Sequence, residues 1–188
     1  MFICAKVAVC YLKALKIMAN IFQLNGTSPR FGKDCFLAPT ATVIGDVVCG
    51  DECSFWFNCV VRGDVNRIRL GNRVNVQDGA VIHCTYQRSE SIIGDNVSIG
   101  HNAIVHGCTV ESNVLIGMGA IVMDHAMVGE GCVVAAGAVV LAGAELSSGY
   151  IYAGVPAKKI KPVPEELRTG EIERIARNYL HYASWYEP

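Results

Sequence analysis

Three features of this sequence predict an all-β chain wound into a left-handed parallel β-helix of hexapeptide repeats, with a C-terminal α-helix packed alongside. An aliphatic residue returns every six positions, glycine often follows it, and an apolar stripe at helical spacing is confined to the tail. A period of six matches neither a helix nor a flat strand. Three short strands per triangular coil, however, bring one residue of each hexad into a continuous core. Coils stacked about 4.8 Å apart then cover one another's edges.

The elements follow in order. Residues 1–24 are read as an N-terminal extension. Its first part is apolar but carries Lys6, Lys13 and Lys16. It holds no run of the ~20 apolar residues that a transmembrane helix needs, and no convincing cleavage site ends it. Residues 1–17 are therefore expected to be dispensable, with Met18 a second candidate start. The β-helix is expected over 25–155. Leu37, Val43, Cys49, Phe55 and Val61 form one series, and Leu70, Val76 and Ile82 a second after an interruption around Asp64 to Arg69. Ile93, Ile99 and Val105 form a third, and after one short hexad the count runs from Val110 to Leu146. The recurring glycines, among them Gly50, Gly71, Gly100 and Gly117, are read as tight-turn residues tolerant of unusual backbone angles. Residues 156–188 are read as a linker and the helix. Ile172, Ile175, Ala176, Tyr179 and Tyr182 or Ala183 form its apolar stripe, opposite Glu171, Glu173, Arg174 and Arg177.

At 188 residues and 52% hydrophobic composition the chain suits one domain with a small appendage. Its 16 basic and 17 acidic residues give a net charge of −1 without blocks of like charge, so neither nucleic acid nor a membrane surface is an expected partner. Most of the nine cysteines occupy positions that elsewhere take Val, Ile or Ala. They read as reduced, small hydrophobes, which points to the cytoplasm.

Three of the five histidines fall in the segments QDGAVIH and IGHNAIVHG. His83 follows core residue Ile82, and His106 follows Val105 three hexads later, with Thr85 to Ser89 inserted between. One coil is three hexads, so the two rings share a face on adjacent coils. His101 belongs to the middle hexad and lies around a corner of the triangle. A neighbouring chain in a three-fold assembly can supply it, giving sites shared between subunits. Three neutral imidazoles leave one tetrahedral Zn²⁺ position open, which is the catalytic pattern. His125 and His181 lack this register and are read as non-ligands. Cys49 is a core position and Cys84 points away from His83, so no thiolate ligand is expected.

The stretch WFNCVVRGDVNRIRLGNRVNVQDGAVIHC, followed by IIGDNVSIGHNAIVHGCTV, resembles the γ-class carbonic anhydrase-like family from about Asn25 to the final helix. The resemblance implies a homotrimer that hydrates carbon dioxide reversibly to bicarbonate with a metal-bound hydroxide. Zinc, or Fe²⁺ or Co²⁺ in some members, would be held by His83, His101 and His106. It further implies that Arg62, Asp64 and Asp78 form ion pairs at the trimer interface and that Gln77 orients the metal-bound water. Asn178 and Tyr182 correspond to polar groups that the helix brings towards the site. Val65 and Tyr86 stand where the archetype has proton-transferring glutamates, which implies weak turnover, with Glu90 or buffer as substitute carriers. Two competing readings remain: a hexapeptide-repeat acyltransferase, which needs one histidine as general base, and a metal-stabilised trimeric scaffold without turnover.

Overall fold

The computed structural model describes residues 19–186; the expectation of a dispensable segment at 1–17 lies outside the described residues. The rest forms a parallel β-helix with three faces, closed by one C-terminal helix.

Every core series becomes a column of paired residues. On the first face Val43, Val61, Ile82, Val105, Val122 and Val140 pair in succession. On the second, Cys49, Leu70, Ile93, Val110, Val128 and Leu146 do the same. The third face stacks Leu37, Phe55, Val76, Ile99, Ile116 and Val134. Small residues two positions earlier, such as Ala80, Ala103, Ala120 and Cys132, are also fully buried and fill the corners. Nearly all of this interior is hydrocarbon out of water, so truncating Ile82 to alanine should cost about 2–5 kcal/mol.

The interruption near Asp64 is not a gap in the sheet. Val60–Leu70 runs through it as one long strand, pairing with Val81–His83 at its start and Ser91–Ile93 at its end. The extra residues 64–67 stand opposite Asp46 alone, where the register with Thr42–Cys49 shifts. At the N-terminal edge Asn20–Phe22 pairs in parallel with Thr42 to Ile44, so regular pairing begins inside the segment read as an extension. At the other end Tyr152 extends the third column beyond Leu146. Lys158–Pro162, read as linker, instead pairs antiparallel with Tyr150–Ala153. Three lysines near this last strand's edge discourage further pairing.

The glycine expectation needs correction. Gly100 and Gly117 do not have left-handed backbones; a Cβ on Gly117 would sit 2.5 Å from the Ala136 nitrogen, and one on Gly100 2.7 Å from that of Met118. Close stacking of coils, rather than backbone angle, selects glycine there.

The tail forms a short helical turn, Glu165–Leu167, a π-helical turn, Arg168–Ile172, and a helix, Glu173–Ser184. Ile172, Ala176 and Ala183 are buried as the stripe predicts. The helix lies across the third face: Tyr179 meets Trp56 edge-on at 5.1 Å and Tyr186 stacks near Phe36 at 5.7 Å. Among the described residues no helix is long and apolar enough to cross a membrane.

Candidate metal centre and its two halves

His83 and His106 are register partners on the adjacent strands Val81–His83 and Ile104–His106. Because both follow a core residue, alternation turns both rings outward on the same side. His83 Nδ1 lies 3.3 Å from His106 Nε2. The other ring nitrogens are committed: His83 Nε2 donates to Asp64 Oδ1 at 3.0 Å and His106 Nδ1 donates to Asp124 Oδ2 at 3.0 Å. Asp64 is ion-paired with Arg62, whose Nη2 is also 3.5 Å from His83 Nδ1. Ser89 donates its hydroxyl to Asp124.

These contacts bear on the charge of His83 and of the two carboxylates. Burial, together with the nearby Arg62 cation, holds His83 below the ordinary imidazole value despite the opposing pull of Asp64. Burial alone would raise Asp64 and Asp124. Arg62 and His83 outweigh it at Asp64, and Ser89 and His106 at Asp124, so both carboxyls stay below the usual carboxylate range. In the neutral form each ring, having donated its one N–H to a carboxylate, turns a lone pair toward the other across 3.3 Å. A cation between them relieves that repulsion. Two nitrogens bound to a tetrahedral zinc at 2.0–2.1 Å are about 3.3–3.4 Å apart, so the donor pair fits such an ion. Carboxylates behind ligand imidazoles fix their tautomer and raise their basicity.

His101 is not brought to this pair. It sits in the turn between Ser98–Ile99 on the third face and Ile104–His106 on the first, with its Nδ1 2.9 Å from Asp78 on the preceding coil. Gln77, Asn178 and Tyr182 join His101 in lining a cavity of about 420 Å³ between the helix and the third face. Leu115, Ile116 and Met118 supply apolar wall. Gln77 is 5% exposed, and its Nε2 donates to Asn75 Oδ1 at 3.0 Å, which leaves Oε1 as a free-facing acceptor. Asn75 in turn donates to Ser98 at 2.8 Å, and Asn178 donates to the Tyr182 hydroxyl at 3.4 Å. Within one chain, then, Arg62 meets Asp64 while Asp78 meets His101, and the two groups are separate.

Two residues escaped the sequence reading. Asp124 was legible in principle, because a ligand imidazole needs an acceptor for its second nitrogen and the next coil offers a carboxylate. Tyr179 was assigned only to the apolar stripe, yet its ring lines the cavity; burial, with Asp78 nearby, pushes its phenol up to about 12. His125 is exposed in a turn with φ of 61°, and His181 is exposed on the helix, both apart from the pair. Glu90 is ion-paired with Arg67, which holds its carboxyl below the ordinary value. Val65 packs against the core and Tyr86 is exposed.

The known proteins similar to this chain carry both transferase and carbonic anhydrase names. The family described as bacterial transferase hexapeptide (six repeats) matches residues 107–142. A protein named carbonic anhydrase from Geobacillus kaustophilus is 44% identical over 167 residues, covering 89% of this chain and 91% of that protein. Gamma carbonic anhydrase 2, mitochondrial, from Arabidopsis thaliana is 39% identical over 178 residues; the match takes in 92% of this chain and 63% of the plant protein. Among solved structures, a putative acetyltransferase from Bacillus cereus superposes with a TM-score of 0.85 at 37% identity, covering 90% of this chain and 97% of that one.

Proposed function

Since this chain belongs to the γ-class carbonic anhydrase family, we propose that it hydrates carbon dioxide reversibly to bicarbonate at metal centres completed between neighbouring copies of a homotrimer. The observation that carries this reading is the pair His83 and His106, 3.3 Å apart and each backed by a carboxylate. In this reading His101 of the next copy is the third ligand, and Zn²⁺, or Fe²⁺ or Co²⁺, is the ion. When bound, such an ion lowers the pKa of a water in its open position to about 7.

The chain's own residues do the rest. Asp64 and Asp124 each accept one ring N–H and so keep the two rings aimed. Gln77, arriving with His101, offers Oε1 to accept a hydrogen bond and so fixes the orientation of a water beside the ligands. The apolar wall of the cavity suits a substrate with no net dipole and excludes bulk water. Asn178 and Tyr182 bound its polar rim, and Tyr179 stays protonated as a donor. Asp78 orients His101, while Arg62, through Asp64, orients His83 and faces the neighbouring copy. The balance is CO₂ + H₂O ⇌ HCO₃⁻ + H⁺, and the released proton has no built exit: Val65 cannot carry it and Glu90 is committed to Arg67. Turnover is therefore limited by buffer.

A second copy as partner is supported by the surface around the pair. Val60, Val81, Ile104, Ile121 and Val139 form an outward aliphatic stripe in register beside the histidines, the kind of face that monomers rarely leave in water. The cysteines among the described residues are all free, which supports a reducing compartment, the cytoplasm in this reading. An acyltransferase needs one base and leaves the His83–His106 pairing without a purpose.

Stopped-flow carbon dioxide hydration on metal-quantified protein tests the proposal. A rate proportional to bound metal in wild type and absent in His106→Ala is expected. Stoichiometric metal without any rate would overturn the enzymatic reading and leave the scaffold.

A further inference from the structure

Away from the histidines, at the first coils of the β-helix, three thiols converge. Cys35 and Cys53 occupy the same corner position on adjacent coils, ahead of the paired residues Leu37 and Phe55, and Cys49 reaches the same corner from the end of Thr42–Cys49. The three sulfurs all lie within 4.8 Å of one another, with Cys35 Sγ and Cys49 Sγ 3.9 Å apart. In the coils that follow, Val74, Val97 and Val114 succeed Cys53 before Cys132 takes the same position, while Leu70, Ile93 and Val110 succeed Cys49. The aliphatic type that fills most of both columns is thus replaced by sulfur at three adjoining positions in this corner.

We propose that Cys35, Cys49 and Cys53 form a second metal site, selective for a thiophilic d¹⁰ cation of the Zn²⁺, Cd²⁺ or Cu⁺ class and independent of the histidine centre. Two thiolates on a tetrahedral zinc with Zn–S of about 2.3 Å lie about 3.8 Å apart, close to the observed 3.9 Å. Soft sulfur donors select ions of this class over Mg²⁺ or Ca²⁺. Cys49 and Cys53 are buried, whereas Cys35 is only partly covered. Three thiolates complete a trigonal site for Cu⁺ and leave Zn²⁺ one further position. Without an ion the thiol hydrogens rest on backbone carbonyls, Cys35 on Gly50 at 3.3 Å and Cys53 on Gly71 at 3.1 Å. Binding therefore exchanges S–H hydrogens for the cation and releases protons to solvent.

The test is a titration of the reduced, metal-free full chain with Cd²⁺, following thiolate-to-metal charge-transfer absorption in the ultraviolet and proton release in weak buffer. Imidazole ligation gives no such band. Cys53→Val and Cys49→Val install the residue types of their own columns and so preserve the core, and Cys35→Ala changes only a partly exposed corner. The expected result is a stoichiometric band with proton release in wild type and in His106→Ala, lost in Cys35→Ala and Cys53→Val. No band in the reduced wild type would overturn the site, as would a band of full height in Cys53→Val and Cys35→Ala, which would assign the ion to other thiols.

Discussion

Around His83 and His106 one ring nitrogen of each imidazole is committed to a carboxylate, and the side chains are 16% and 30% exposed. Around His101 only one carboxylate is in reach, and the pair is more open, at 38% for His101 and 43% for Asp78. The first half is held by strand register, two hydrogen-bonded carboxylates, an arginine and a serine. The second half is a corner of the solenoid with a largely apolar cavity beside it. The difference teaches that a single chain preorganises two donors and holds the third, with Gln77, apart from them; only in the proposed trimer would a neighbouring copy bring the three together. In the proposed trimer the first half would supply two ligands and the second half of the next copy one.

Several experiments break or sharpen that contrast. The largest effect is expected from loss of a ring. His83→Ala and His101→Ala should each lose bound metal and more than about a hundredfold in hydration rate, beyond what changes behind a ligand cause. Mixed after unfolding and reassembly, the two variants should regain about a quarter of the intact sites by random association about a three-fold axis. No regain would mean that each site is built within one chain.

Removing a supporting carboxylate comes next. Asp124→Asn should weaken metal affinity about 10–100-fold, because it forfeits the anionic acceptor that fixes His106 and leaves the Ser89 hydroxyl a weaker one. Asp78→Asn should do less, a few-fold by the same reasoning for a more exposed and screened pair. Competition with a chelator measures both, and equal losses would erase the distinction between the halves. The smallest effect concerns the proton. The hydration rate should rise with buffer concentration and plateau late, and Glu90→Gln should leave it unchanged because that carboxylate is held by Arg67. A buffer-independent rate would reveal an exit for the proton within the protein.

Much of this was written in the residues. The column residues from Leu37 to Leu146 could be read off at a spacing of six because stacking coils places the same side-chain chemistry at the same depth each time. The register of His83 with His106 followed from the same count, and so did the displacement of His101. Less visible were the features that depend on distance rather than order. Asp124 lies beyond a turn from His106, and nothing in local spacing announces that its oxygen reaches the ring. The strand Lys158–Pro162 looked like a linker because prolines and lysines mark chain ends, yet the open edge of Tyr150–Ala153 needed a partner. The unusual backbone angle expected of the glycines holds at Gly45, whose φ is +71°, but not at Gly100 or Gly117, since close approach of coils cannot be seen along one strand of sequence.

By itself, then, the sequence determined the period, the core columns, the helix stripe and the histidine register, all properties that depend on counting along the chain. Only the tertiary structure decided which nitrogen faces which, that two carboxylates lock the paired rings, that the helix roofs a cavity over Gln77 and His101, and that three thiols from successive turns share one corner. Those facts require contacts between residues brought together by the stacking of coils, and hydrogen bonds and metal ligation are set by tenths of an ångström that a repeat length does not encode.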